Sequence, residues 1–168
     1  PGAKQSVIRF GYLVMDANDP DFYKANVMNY KLGGGSFASQ LTQELREGKG
    51  YTYGIRSGFF GGKNRGPFTI SSNIRSNVTF EAFDLIKNIM ANYGASLTEE
   101  DLANTKNFML KSQVRSLETL GAKLGMLSSI SSLGWPYDYA SKRQEIVKSM
   151  TMDDIKALAD QYINPNRM

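Results

Sequence analysis

Apolar residues follow a strand-like pattern at the start of the chain and a helical pattern directly after it. Ser6–Met15 is rich in β-favouring residues and precedes the turn-forming segment Asp16–Asp19, which predicts a first strand. A helix is predicted next, with Asp19 as its N-cap and Gly33 at its end. Its helical spacing is carried by Phe22, Ala25, Met28 and Leu32.

A second, shorter helix and a pair of strands are predicted downstream of the glycines. The helix begins near Ser36 and ends at Gly48–Gly50, and its apolar stripe consists of Phe37, Leu41 and Leu45. Two alternating runs flank the turn Gly61–Gly66, so we expect an antiparallel β-hairpin. The positions expected on one face of this hairpin are Tyr51, Tyr53, Ile55, Ser57, Phe59, Phe68, Ile70, Ser72 and Ile74.

The second half of the chain is patterned as helices from Val78 to its end. Thr98 with Asp101, and Thr151 with Asp154, have the spacing of capping boxes and predict two helix starts. Apolar stripes are formed by Phe83, Ile86, Met90 and Tyr93 and, further on, by Leu120, Leu124, Leu127 and Ile130. The predicted order, β-α-α-β-β-α-α-α-α, indicates an α+β fold in which a small antiparallel sheet packs against helices. No linker-like segment divides the chain, so residues 1–168 are predicted to be a single domain.

Histidine and cysteine are both absent from the 168 residues, which removes the commonest hydrolase bases, nucleophiles and zinc ligands. The paired carboxylates stand at predicted helix starts, where capping and the helix dipole explain them. We therefore predict no catalytic residue and no metal site in this chain. No apolar run has the length of a membrane span, and the first ten residues lack the layout of a signal peptide. The chain is then either cytoplasmic or separated from a targeting segment.

The net charge of +4 is concentrated between Thr42 and Arg75, which contain six basic and two acidic residues. Such a cluster is used by some nucleic-acid-binding surfaces. Six cations spread over this length without a lysine run are more typical of a solvated face, or of a mild attraction for acidic peptide. We therefore expect no nucleic-acid partner.

The glycines Gly33, Gly34 and Gly35 precede a predicted helix start, where free N–H groups can bind a phosphate. Their spacing matches neither common nucleotide-binding motif, and they follow a helix rather than a strand. We interpret them as a tight helix-to-helix turn that uses positive φ angles.

Motifs across most of the chain resemble the carboxy-terminal, non-catalytic half of pitrilysin and insulinase type zinc peptidases, which include the mitochondrial processing peptidases. The most specific motif is L-G-G-G-x-x-x-S-x-L-x-x-E-L-R at Leu32–Arg46, followed by G-x-x-Y at Gly50–Tyr53. In that family, an inverted H-x-x-E-H motif on the other, homologous half holds the zinc. The resemblance therefore implies that this chain is a fragment of a larger peptidase and is inactive alone. It also implies two partners, a zinc-bearing half and a peptide substrate.

The resemblance assigns substrate contact to Arg46 and Tyr53. They are seven positions apart, as in the family, and a guanidinium and a phenol both donate hydrogen bonds to peptide carbonyls. Without the resemblance, we would interpret Arg46 as an exposed cation at a helix end. We would interpret Tyr53 as an aromatic residue packed on the sheet. Gly33, Gly34 and Gly35 resemble a shorter form of the glycine-rich loop that touches substrate in the processing peptidases.

Two functional hypotheses remain after this comparison of motifs. The first is a substrate-clamping half of a zinc peptidase, and the second is a catalytically inactive structural or assembly subunit of the same fold. Family members continue beyond a segment like Asn164–Met168 into a closing strand, so the resemblance predicts a sheet that lacks its last strand. Bacterial relatives of this kind suggest the periplasm or cell envelope, with the cytoplasm as the alternative.

Overall fold

A computed structural model describes residues 2–115 and 117–168 of the chain. Pro1, the first residue of the predicted domain, lies outside the described residues. The single-domain assignment over residues 1–168 stays a prediction.

Three strands form an antiparallel sheet in the order β1-β3-β2. They are β1 (Gln5–Met15), β2 (Thr52–Phe59) and β3 (Gly66–Arg75). β1 pairs with β3 from Gln5 opposite Arg75 to Met15 opposite Gly66, while β2 pairs with the other edge of β3. Both the predicted first strand and the predicted hairpin are confirmed, and the second strand of the hairpin forms the centre of the sheet.

The described ranges contain seven α-helices, five of them after the hairpin, where the predicted order has four. They are α1 (Phe22–Asn29), α2 (Gln40–Thr42), α3 (Thr79–Ser96), α4 (Glu99–Arg115), α5 (Leu120–Leu133), α6 (Tyr139–Ser149) and α7 (Met152–Tyr162). π-Helical turns continue α1 over Tyr30–Gly34 and α2 over Gln43–Gly48. Short 3-10 turns occupy Ser36–Ala38, Ser76–Val78 and Pro165–Arg167.

One face of the sheet packs against α1, α2, α3 and the π-helical turns that follow α1 and α2. α7 packs mainly on α1 and α3, and these elements form the core together. Phe68, Ile70 and Ile74 on the central strand are fully buried, because β3 has a neighbour on each side and helices on this face. A hydrogen bond joins β1 to the C-terminal end of α7, since the Tyr12 hydroxyl donates to the carbonyl of Tyr162 at 2.6 Å. The predicted α+β fold, a small antiparallel sheet against helices, is confirmed.

Two of the helix starts predicted from capping residues are confirmed, and the one predicted at Asp19 is wrong. Thr98 with Asp101, and Thr151 with Asp154, make reciprocal capping hydrogen bonds, as predicted. Asp19 is not an N-cap, since α1 begins at Phe22. The Asp19 carboxylate instead accepts the backbone N–H of Asp21 at 2.9 Å, which forms a turn ahead of the helix.

The leucine stripe predicted on α5 packs at one end only. Ile130 is buried, whereas the side chains further towards the N-terminus are exposed; they are Leu120, Leu124 and Leu127. The last residue of α5 also contacts the rest of the fold, since Asn18 Nδ2 donates to the carbonyl of Leu133 at 3.1 Å. Just past the helix, Trp135 Nε1 donates to the carbonyl of Ala17 at 3.3 Å. Only the last turns of the helix therefore reach the core. None of the helices in the described ranges combines the length and the hydrophobicity that crossing a bilayer requires.

Candidate functional site

Arg46 lies on the π-helical turn Gln43–Gly48, one residue after the fully buried Leu45. Its guanidinium carbon stands 4.5 Å from the centre of the Phe37 ring, and its Nε lies 3.3 Å from a carboxylate oxygen of Glu47. Phe37 was predicted to share a buried stripe with Leu41 but is half exposed, because Ser36 has a φ of 52° and the 3-10 turn interrupts the helix. The exposed ring supports the Arg46 side chain.

Tyr53 projects away from the buried face of the sheet, and its residue is 86% exposed. The prediction that it shares a face with Ile55 and Phe59 is wrong, because the register of β2 against β3 shifts between Thr52 and Ile55. The extra residue in this bulge reverses the alternation of side chains on its N-terminal side. The interpretation of Tyr53 as an aromatic residue packed on the sheet is therefore wrong as well.

Hydroxyl groups of Thr52 and Ser72 hold the bulge in place. Thr52 Oγ1 lies 2.9 Å from Ser72 Oγ, and it accepts the backbone N–H of Gly54 at 3.0 Å. Ser72 Oγ donates to the carbonyl of Gly54 at 2.8 Å. Buried hydroxyls thus satisfy the backbone groups that the bulge removes from the regular ladder.

The structure brings Arg46 and Tyr53 to one groove of about 430 Å³. We call it the Arg46–Tyr53 groove; its lining residues are Gln5, Arg46, Glu47, Gly50, Tyr51, Thr52, Tyr53 and Arg75. The guanidinium groups of Arg46 and Arg75, the carboxylate of Glu47 and the exposed Tyr53 line this space. Such a surface can donate several hydrogen bonds to the carbonyl oxygens of an extended peptide.

Arg75 also lines the groove, although the sequence indicated only that it is one of the basic residues between Thr42 and Arg75. Its backbone N–H donates to the carbonyl of Tyr51 at 3.0 Å, and its guanidinium carbon lies 6.0 Å from the centre of the Tyr51 ring. Arg75 is 29 positions from Arg46, so only the pairing of the strands brings them together. Another cation of the cluster, Arg65, has a structural role, since its Nε and Nη2 donate to the carbonyl of Val14 at 3.0 and 2.8 Å.

None of Gly33, Gly34 and Gly35 lines the Arg46–Tyr53 groove. The expectation of positive φ at these glycines is wrong. The π-helical turn includes Gly33 and Gly34, Gly35 has a φ of −88°, and the positive φ falls on Ser36. Close packing explains the glycines instead. A Cβ atom on Gly33 would lie 2.7 Å from the backbone nitrogen of Ser57, and one on Gly35 would lie 2.9 Å from the ring of Tyr30.

The described residues do not fit a zinc ion. Within residues 2–115 and 117–168, no group of three or more carboxylate, imidazole or thiol side chains could hold a metal. A zinc site in a protein needs such a group of ligands.

Comparison with known families identifies the fold. Residues 1–109 match the model of the family described as "Peptidase M16 inactive domain". The chain belongs to this family. The resemblance to the non-catalytic half of these zinc peptidases is thereby confirmed. This M16 inactive domain is a carboxy-terminal domain of proteins that resemble zinc proteases.

Two curated relatives match most of this M16 inactive domain. The "Non-peptidase homolog YmxG" of Helicobacter pylori is 26% identical over 157 residues, which cover 90% of this chain and 35% of that protein. The "Uncharacterized zinc protease YmxG" of Bacillus subtilis is 28% identical over 122 residues, which cover 72% of this chain and 30% of that protein. The chain thus spans about a third of the length of these relatives.

The fold is also that of a solved M16 structure. The crystal structure of a peptidase M16 inactive domain from Pseudomonas fluorescens has a TM-score of 0.90 at 26% identity. The match covers 98% of this chain and 40% of the solved chain.

Proposed function

We propose that this M16 inactive domain is the substrate-binding half of a zinc-dependent peptidase. It clamps a peptide against a homologous half that carries the zinc, and Arg46 and Tyr53 contact the peptide near the bond that is cut. The zinc-bearing half lies on the same chain or on a separate subunit. The observation that carries the proposal is that both side chains, predicted from separate elements, open into one groove.

Each of the two side chains has a definite task in this proposal. Donors that are positioned before the reaction stabilise carbonyl oxygens on which negative charge develops. The Arg46 guanidinium is held by Phe37 and Glu47, so part of its ordering precedes binding. Tyr53 is almost fully exposed, and its phenol is available from the solvent side of β2. The name of the Bacillus subtilis relative, a zinc protease, supports a role in proteolysis.

The test is peptide hydrolysis by the enzyme assembled with its zinc-bearing half. Arg46→Ala and Tyr53→Phe are each expected to lower kcat/KM by about 10²-fold, the effect of losing one transition-state donor. Lys63→Ala and Tyr137→Phe are matched controls, since both side chains are exposed and neither lines the groove. Unchanged hydrolysis in both groove variants would contradict the proposed contact.

The second candidate function is a catalytically inactive structural or assembly subunit. The name of the Helicobacter pylori relative, a non-peptidase homolog, is consistent with this alternative. It predicts that replacing Arg46 and Tyr53 changes no hydrolysis by the assembled complex, whereas the first candidate predicts a loss. The hydrolysis measurement therefore separates the two candidates.

A further inference from the structure

A second cavity, of about 400 Å³, shares no residue with the Arg46–Tyr53 groove. We call it the Arg143 cavity. It lies between α1, the C-terminal end of β2, α4, the connection from α5 to α6 and the first turns of α6. The residues important here are Tyr23, Asn29, Ser57, Trp135, Tyr139 and Arg143. Its volume is in the range of small-ligand sites, and it can accommodate a peptide side chain or terminus.

Aromatic rings fix the guanidinium group of Arg143 at this cavity. The guanidinium carbon lies 4.3 Å from the centre of the Tyr23 ring and 5.9 Å from that of the Tyr139 ring. Trp135 stacks on Tyr139 with ring centres 3.9 Å apart and an angle of 15° between the planes. A guanidinium held between rings keeps its N–H edges free for a planar acceptor.

Among the described residues, no acidic side chain neutralises the charge of Arg143. In the part of the chain that the structure describes, Arg143 forms no ion pair, and its buried Nε has no hydrogen-bond partner. The adjacent Lys142, by contrast, pairs with Asp138 at 3.1 Å. A partly buried cation without an acceptor is costly, and binding an anion relieves that cost.

The other lining residues leave room for an external anion. The lining contains one cation and neither aspartate nor glutamate. Burial raises the pKa of Tyr139, so its hydroxyl stays neutral near pH 7 and does not serve as the missing anion. Asn29 and Ser57 hydrogen-bond to each other, with Asn29 Nδ2 donating to the carbonyl of Ser57 at 3.0 Å. The guanidinium is therefore the one charged group of the described lining.

We propose that the Arg143 cavity binds a carboxylate group of a peptide. The carboxylate accepts hydrogen bonds from the Arg143 guanidinium, while Trp135 and Tyr139 form an aromatic wall beside it. The carboxylate belongs either to an acidic side chain or to the terminus of the peptide. The preference for a carboxylate rests on the cavity alone, whereas the choice of a peptide as its carrier rests on the proposed function.

Trp135 makes the proposal directly measurable, because it is the single tryptophan of the chain. Its fluorescence is followed while the 168-residue chain is titrated with three tripeptides, and calorimetry measures the same affinities independently. The first probe is acetylated, amidated Ala-Glu-Ala, and the second is acetylated Ala-Gln-Ala with a free carboxyl terminus. The matched neutral probe is acetylated, amidated Ala-Gln-Ala.

At least one carboxylate probe is expected to bind about ten-fold or more tighter than the neutral probe, the effect of a hydrogen bond to a charged group. The probe that binds tighter identifies the source of the carboxylate. Arg143→Gln is expected to abolish the preference, and Arg143→Lys to retain part of it, since the lysine keeps the charge but loses the planar fork. Lys142→Gln, which removes a neighbouring charge outside the cavity, is expected to leave the preference unchanged.

Equal affinity of the three probes for the wild-type chain, or no saturable binding at millimolar concentration, would overturn the proposal. So would a preference that survives in a folded Arg143→Gln variant, with folding checked by circular dichroism. Lys63→Ala is expected to leave this titration unchanged, because Lys63 lines neither the Arg143 cavity nor the Arg46–Tyr53 groove. A positive titration combined with unchanged hydrolysis in the groove variants would disprove the proposed function and keep the carboxylate site.

Discussion

Arg46 and Tyr53 differ in how firmly the fold holds them. The Phe37 ring and the Glu47 carboxylate restrict the Arg46 guanidinium, whereas the Tyr53 ring is almost fully exposed. Ordering an exposed side chain on binding costs conformational entropy. In our account, Arg46 is a partly prepositioned donor, and Tyr53 becomes ordered only when the peptide is bound.

An ion pair joins the π-helical turn after α1 to the start of α4. Lys31 Nζ lies 2.7 Å from a carboxylate oxygen of Asp101. Partial burial alone would raise the pKa of Asp101, but hydrogen bonds from Lys31 and Thr98 and the charge of Lys31 outweigh it and lower that pKa. Folding therefore favours the ionised carboxylate.

Asp101→Asn is expected to lower the free energy of unfolding at pH 7 by about 1 kcal/mol or less. The folded pKa is the lower one, so the contribution is fully present above the unfolded pKa of about 3.9 and is lost as the pH falls through the folded pKa. Urea denaturation at pH 7 and pH 3 measures both free energies. The difference between wild type and variant should be larger at pH 7.

Asp138→Asn is the matched control for this measurement. Asp138 pairs with Lys142, but both side chains of that pair are more than half exposed, and we expect a smaller effect. A loss of stability in Asp101→Asn that is the same at both pH values would contradict the role assigned to its ionised form.

At the scale of elements, the sequence predicted those helix starts and strands that are determined by residues within a single segment. The capping spacings at Thr98 and Thr151 and the alternation along β3 depend on neighbouring residues, and both predictions are confirmed. The bulge in β2 was not predictable from alternation, because it depends on hydroxyls of both Thr52 and Ser72. The family motif predicted that Arg46 and Tyr53 contact substrate. It did not predict that Arg75 lines the same groove, because that depends on the pairing of β2 with β3.

The junction between α1 and α2 depends on close packing at Gly33. Gly33→Ala is expected to lower the free energy of unfolding by about 1–3 kcal/mol, because the new Cβ would overlap the Ser57 backbone nitrogen and the Leu41 side chain. Urea denaturation measures this change.

Gly121→Ala is the control for the glycine substitution. Gly121 lies on α5 and has open space at its Cβ position, so alanine is expected to leave stability unchanged or to raise it by up to about 1 kcal/mol. A Gly33→Ala variant as stable as wild type would disprove the packing explanation for this glycine.

At the scale of the whole molecule, the two cavities draw residues from opposite ends of β2. The Arg46–Tyr53 groove includes Thr52 and Tyr53, and the Arg143 cavity includes Ser57 and Phe59. The eight residues of β2 span roughly 25 Å at the usual rise per residue of a strand. The two cavities therefore lie near the two ends of this strand.

The central claim is that a peptide substrate contacts the groove at Tyr53. Its most direct test is photo-crosslinking in the assembled peptidase, with p-benzoylphenylalanine in place of Tyr53 and, as the control, in place of the exposed Leu120, which lines neither cavity. We predict that a labelled substrate crosslinks at position 53, that excess unlabelled peptide prevents it, and that position 120 gives no such product. Equal yields at the two positions, or no crosslink at position 53, would contradict the account.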